Sequence, residues 1–135
     1  CLEQFVAPCL ESVGSDFLHC NKALKELDLP SLISAKENFC YCNEEISKVN
    51  FPKLRTVGND FMLCNEQLTE LELPNLERVG CNFLEFNEKI EIINAPKLEY
   101  IFSCFCYNSE SIKEANLPKI KRLDYLAPHI KKALK

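Results

Sequence analysis

The twenty residues from Leu68 to Asn87 read LTELELPNLERVGCNFLEFN. They hold an apolar set spaced L-x-x-L-x-L that ends at Pro74, a second apolar pair at Leu76 and Val79, and a tail of Gly80, Phe83 and Asn87. Stepping outward by 22 residues in either direction finds the same grammar again. Six of the seven prolines stand at Pro8, Pro30, Pro52, Pro74, Pro96 and Pro118, an unbroken spacing of 22. A period between about 20 and 50 residues marks a solenoid, propeller or array of stacked units.

Alignment on the prolines gives columns of constant chemistry. Six residues before proline stand Leu2, Leu24, Ile46, Leu68, Ile90 and Ile112; three before stand Phe5, Leu27, Val49, Leu71, Ile93 and Ala115. Ala7, Leu29, Phe51, Leu73, Ala95 and Leu117 directly precede the prolines, so the segment alternates as a strand does. Proline suits the end of that strand, because its fixed φ continues an extended chain while its missing N–H stops the ladder. After the proline, Leu10, Leu32, Leu54, Leu76, Leu98 and Ile120, then Val13, Ala35, Val57, Val79, Ile101 and Leu123, are expected to face the same interior. Nine residues after proline, Phe17, Phe39, Phe61, Phe83 and Phe105 supply bulk between the two walls of each coil, and the column breaks at Ala127. Gly14, Gly58 and Gly80 share a column that calls for positive φ or a close approach of neighbouring backbones, although Lys36, Phe102 and Asp124 stand there in the other repeats. Asn21, Asn43, Asn65 and Asn87, with Ser109 fifth, form an asparagine ladder expected to satisfy backbone groups of the turn in the adjacent coil.

The quoted stretch resembles the leucine-rich repeat of the BspA-like, or Treponema-type, bacterial class. That class reads roughly L-x-x-I-x-I-P-x-x-V-x-x-I-G-x-x-A-F-x-x-C, and the resemblance covers the whole chain. Each repeat here is one residue shorter after the proline, which shifts the turn geometry. The resemblance implies an α/β repeat solenoid: a leucine-rich-repeat right-handed superhelix with a parallel β-sheet on the concave face and turns and short helical segments on the convex side. It also implies a cell-surface or secreted protein that binds a host or bacterial protein.

A single domain over residues 1–135 is expected, with repeats at about 2–23, 24–45, 46–67, 68–89, 90–111 and 112–133, the last degenerate. An apolar fraction of 47% supplies a continuous core whose stability comes from stacking neighbours. Residues 128–135, opening on Pro128, read as a short amphipathic helical cap. Cys1 and Leu2 enter the repeat in register without a polar cap, so self-association through uncapped ends is an expectation. No run of 18 apolar residues implies insertion into a membrane by this segment.

The nine cysteines do not form a metal or disulfide framework by spacing. The Cys40/Cys42 and Cys104/Cys106 pairs lie three repeats apart in different columns, too far to share one tetrahedral ion. Cys20, Cys42 and Cys64 share a column continued by Phe86 and Asn108, and are read as buried packing thiols, although adjacent-coil cysteines come within bridging distance. Free thiols lean mildly toward a reducing cytoplasm, against the compartment that the resemblance implies. His19, beside Cys20, is read as a surface histidine. With two histidines and no phosphate-binding glycine loop, neither an enzyme nor a cofactor is expected.

What distinguishes one repeat from another are the outward positions of the strand. These are Gln4, Glu26, Lys48, Glu70, Ile92 and Glu114 in one row, and Val6, Asp28, Asn50, Glu72, Asn94 and Asn116 in the other, with five acids and one base. The candidate protein-binding positions are therefore Glu26, Asp28, Lys48, Asn50, Glu70, Glu72, Ile92, Asn94, Glu114 and Asn116. Bases gather after the prolines, at Lys53, Arg55, Arg78, Lys97, Lys119, Lys121 and Arg122. Such a field steers a protein partner with a basic surface toward the strands. A pI of about 5.3 argues against nucleic acid. The expected function is a protein-protein interaction module; the alternatives are a purely structural spacer, or an intracellular scaffold or effector with no ligand on the concave face.

Overall fold

The computed structural model describes residues 1–135 as a solenoid of stacked parallel strands. One wall consists of three-residue strands: β1 (Gln4–Val6), β3 (Glu26–Asp28), β5 (Lys48–Asn50), β7 (Glu70–Glu72), β8 (Ile92–Asn94) and β9 (Glu114–Asn116). Within the groups β1-β3-β5 and β7-β8-β9 they pair in parallel with a register of 22, Phe5 opposite Leu27 and Leu71 opposite Ile93, so the middle residue of every strand points inward. The second wall carries two-residue strands β2 (Ser12–Val13), β4 (Ser34–Ala35) and β6 (Thr56–Val57), continued by single bridges from Thr56 to Arg78 and from Arg78 to Tyr100.

Between the walls the proline makes a tight turn. The amide two residues beyond each proline donates to the carbonyl just before it, as in Leu32 N to Leu29 O (3.2 Å) and Leu98 N to Ala95 O (3.1 Å). Proline is preset for the second position of such a turn. The core is continuous, with 34 buried residues running from Leu24 to Ala133. Through its middle Phe17, Phe39, Phe61, Phe83 and Phe105 stack face to face at centroid separations of 5.1 to 5.6 Å.

The expected short helical segments on the far wall are replaced by strands and by a left-handed corner. Fifteen non-glycine residues have φ between 51° and 60°, all of them eight, ten or twelve residues after a proline. Residues at the first of these positions are Asp16, Asn38, Asp60, Asn82 and Cys104, mostly the types that tolerate this region best. The second position cannot be glycine without loss of core, since Cys40, Met62, Leu84 and Cys106 bury their side chains there. The corner is held by adjacent coils: Asp16 N donates forward to Glu37 O (3.0 Å), Cys40 N backward to Phe17 O (2.9 Å), and Cys20 N forward to Tyr41 O (2.8 Å).

The asparagine ladder lies beneath this corner and is buried from Asn43 onward. Asn43, Asn65 and Asn87 each donate Nδ2 to the corner carbonyl of the preceding coil, Leu18, Cys40 and Met62 respectively, at 2.8 to 2.9 Å. The side-chain oxygens of Asn43 and Asn65, and Ser109 Oγ in the last place, accept backbone amides one coil back, as in Asn21 N to Asn43 Oδ1 (2.8 Å) and Asn87 N to Ser109 Oγ (2.8 Å). The glycine column resolves in favour of close approach, because no glycine has positive φ. A Cβ on Gly80 would lie 2.6 Å from the Gly58 carbonyl carbon, whereas one on Gly14 would meet nothing within 4 Å.

Three expectations are corrected. Leu123 does not face inward; it is 49% exposed, because the last coil abandons the repeat for a 3-10 turn at Leu123–Tyr125. The Cys20, Cys42 and Cys64 column is not a packing column: Cys20 is exposed and the other two half-buried, while the buried thiols are Cys40 and Cys106. In the first coil Leu2, expected to face inward, is 43% exposed. The far end is closed by helix α1 (Pro128–Ala133), which starts on its proline and buries Ile130 and Ala133, followed by a bridge from Leu134 to Ala115.

The strand wall divides into two three-stranded sheets, β1-β3-β5 and β7-β8-β9. Elsewhere on this wall the residue five before proline donates to its counterpart one coil back, Ser47 N to Lys25 O at 3.0 Å and Glu91 N to Thr69 O at 2.8 Å; Thr69 makes no such bond to Ser47. The same seam, between the third and fourth coils, leaves the buried Asn87 Oδ1 without a partner. We attribute the opening to Phe51, the one aromatic in its column, whose ring lies edge-on to Phe39 at 5.5 Å and to Phe61 at 6.3 Å. An extra ring beside a filled stack forces backbone apart.

Two measurements check this packing. Phe61→Ala should lower the free energy of unfolding by about 3–5 kcal/mol in urea melts, the usual range for a buried phenylalanine; a loss below ~1 kcal/mol would show that the stack carries little of the core. Phe51→Leu, the residue that column holds at Leu29 and Leu73, should let the seam close, seen as slower hydrogen exchange at the Thr69 amide. Unchanged exchange there would acquit the ring.

Candidate functional site

The ten candidate residues fall where the columns place them, on the outer side of the strand wall. Lys48, Asn50, Glu70, Glu72 and Glu114 are exposed; Glu26, Asp28, Ile92, Asn94 and Asn116 are half-buried. Because each strand repeats its neighbour's register, each side chain stands next to its own column, and the polar ones pair along the stack. Gln4 Nε2 donates to Glu26 Oε2 (3.3 Å), Asn50 Nδ2 to Asp28 Oδ1 (2.9 Å), Asn94 Nδ2 to Glu72 Oε2 (2.7 Å) and Asn116 Nδ2 to Asn94 Oδ1 (2.7 Å). Lys135 swings over from the C-terminus to pair with Glu114 at 2.7 Å.

Two shallow depressions lie on this wall, one on each sheet. The first, of about 400 Å³, is bordered by Glu26, Asp28, Lys48 and Asn50; the second, of about 350 Å³, by Glu72, Ile92, Asn94, Glu114 and Lys135. The seam separates them, and the column neighbours Lys48 and Glu70, one on each side of it, form no ion pair. They are the two charged residues of the strand rows whose side chains have no protein partner.

The bases of the opposite wall are less free than the sequence suggests. Arg55 holds Glu77 through both carboxylate oxygens (3.0 and 3.2 Å), Arg122 pairs with Asp124 at 3.1 Å, and Lys121 pairs with Glu99. The hydrogen bond from Lys121 holds the Glu99 carboxyl below its ordinary range, and that from Arg122 does the same for Asp124. A lowered carboxylate contributes stability above its unfolded pKa that is lost as pH falls through the folded value; Asp124 is exposed and the half-buried Glu99 is paired with an exposed lysine, so solvent screening keeps the contribution small.

A feature that the columns concealed lies on the same wall. Tyr100 is 45% and Phe102 55% exposed, with the Arg78 guanidinium 4.2 Å above the Tyr100 ring and that of Arg122 4.4 Å above Tyr125. These rings border a depression of about 370 Å³. The one signal in the sequence is Phe102 itself, standing in the glycine column. His19 is exposed, and its ring packs edge-on against Tyr41 at 5.0 Å. No helix is long and apolar enough to cross a membrane.

Compared with known proteins, the chain matches no family model, no curated protein and no solved structure.

An unpartnered, exposed Glu70 can change without cost to the fold. Glu70→Gln should alter the stability by less than about 0.5 kcal/mol, in the range of surface substitutions that break no contact. A loss above ~1 kcal/mol in denaturant titration would reveal a partner for Glu70 within the solenoid.

Proposed function

We propose that the chain is a non-catalytic protein-interaction module that presents the acidic strand wall to a protein partner with a basic surface. The observation that carries this reading is the composition and accessibility of the strand rows. Five acids stand against one base in a regular, rigidly spaced array, and the free charges gather at the seam. An array of fixed carboxylates raises the association rate of a cationic partner and fixes its register along the stack.

The L-x-x-L-x-L-P pattern supports a finer reading, a leucine-rich repeat of the BspA-like class in which the strand wall is the concave face. In that reading the chain belongs to a bacterial cell-surface or secreted protein that binds a host or bacterial protein. A solenoid that serves only as a spacer would carry the same charges for solubility, and the two differ in one respect. The spacer is indifferent to where its charges lie.

The test is capture of interacting proteins on immobilised chain, wild type against Glu70→Lys/Glu72→Lys, at low and moderate salt. Proteins retained by the wild type should be recovered at least tenfold less on the variant, and their binding should weaken with salt. Equal recovery on both would remove the strand wall from the interaction and leave the spacer.

A further inference from the structure

The corner twelve residues after proline places Cys20, Cys42 and Cys64 in three successive coils, all with the same left-handed backbone (φ 54°, 53° and 59°). Identical dihedrals aim identical side chains alike, so the three thiols rise one above another at the inter-coil spacing of about 4.8 Å. The register is fixed by hydrogen bonds on the same corner: Cys20 N to Tyr41 O (2.8 Å), Cys42 N to Leu63 O (2.9 Å) and Cys64 N to Glu85 O (3.0 Å). Cα separations near that spacing fall within the roughly 4.4–6.8 Å that a disulfide spans. Unlike Cys40 and Cys106, which are sealed in the core, these thiols reach solvent: Cys20 is exposed and the other two are half-buried.

We propose that this column is a reversible redox site in which the central Cys42 forms a cross-coil disulfide with Cys64 or, alternatively, with Cys20. The site deals with small-molecule disulfides of the glutathione class. In the first step a thiolate of the column attacks one sulfur of the oxidised small molecule, forming a mixed disulfide and releasing one equivalent of its thiolate. In the second step the neighbouring column thiol, having given its proton to solvent, attacks the protein sulfur of that mixed disulfide and expels the second equivalent. Two protein thiols are oxidised and one small-molecule disulfide is reduced to two thiols.

Cys42 is decisive because it alone has a column partner on both sides. Cys20 and Cys64 are two coils apart, roughly 10 Å by the same spacing, beyond the reach of a disulfide. The third thiol can still attack a bridge formed by the other two, so the disulfide migrates along the column by exchange. Burial and the adjoining Cys42 sulfur push the Cys64 thiol up to about 12, which makes closure onto Cys64 faster as pH rises.

The test exposes dilute folded protein to oxidised glutathione and maps linkages by tryptic digestion under non-reducing conditions. Cys20, Cys42 and Cys64 lie on separate tryptic peptides, 1–22, 37–48 and 56–78. Wild type should lose two of its nine thiols to an intramolecular link from peptide 37–48 to 56–78 or to 1–22, reversed by dithiothreitol. Cys40→Ser should keep the link, which assigns it to Cys42. Cys20→Ser should keep the bridge to Cys64, whereas Cys42→Ser should abolish every bridge of this column and leave at most mixed disulfides with glutathione. A direct Cys20–Cys64 bridge in Cys42→Ser, or a wild type that carries only mixed disulfides, would overturn the proposal. Circular dichroism of each variant shows whether it is folded. Should Cys42→Ser unfold, selective alkylation of the wild-type column thiols before oxidation gives the same reading.

Discussion

Everything in this solenoid rests on a corner that no coil can make alone. In the few residues between the stacked phenylalanine and the buried asparagine the chain reverses, using left-handed residues that carry side chains. Each such residue costs on the order of 1 kcal/mol or more. The cost is offset across coils: amides point alternately forward and back to neighbouring carbonyls, and the asparagine beneath donates to the carbonyl of the middle left-handed residue one coil earlier. A lone repeat would have the strain without those partners. The cooperativity expected of stacked repeats is therefore as much a matter of backbone satisfaction as of apolar burial.

The same dependence explains why an irregularity in one layer spreads along its seam. Phe51 adds a ring beside the phenylalanine stack, and the strand pairing between the third and fourth coils is missing while the opposite wall remains bonded through Arg78. At the far end of that seam the asparagine ladder also slips, since Asn87 Oδ1 has lost the amide that its counterparts accept. The coils stay together because the phenylalanine stack is unbroken there, with Phe61 and Phe83 at 5.4 Å. Apolar stacking tolerates a small shift; hydrogen bonds are lost by it.

Much of this was legible in one chain, because a strict repeat provides its own alignment. The prolines, the inward columns, the phenylalanine stack, the asparagine ladder and the closing helix could all be read from recurrence. What could not be read is conformation without a compositional signature. The left-handed corner uses Leu18, Met62, Leu84 and Phe86, residues that ordinarily avoid positive φ, so it passed for a segment of short helix. The thiol column misled for a related reason: Phe86 in that column suggests the interior, yet it is 45% exposed, and Cys40, two residues before Cys42, takes the buried place instead. Alternation of in and out is set by the corner's dihedrals and not by the hydropathy of one member.

The strand wall shows why regularity that reveals a fold hides a function. In a register of 22 every outward side chain meets its own column, so the acids find hydrogen-bond or ion-pair partners along the stack: Asp28 with Asn50, Glu72 with Asn94, Glu114 with Lys135. Counting charges on the face overstates what a partner would meet. On this wall only the seam leaves charges without a partner, Lys48 on one side of it and Glu70 on the other, on strands that do not pair. A binding surface on such an array is thus best sought at the break in the repeat, because that is where exposed polar groups lack the neighbours that elsewhere satisfy them.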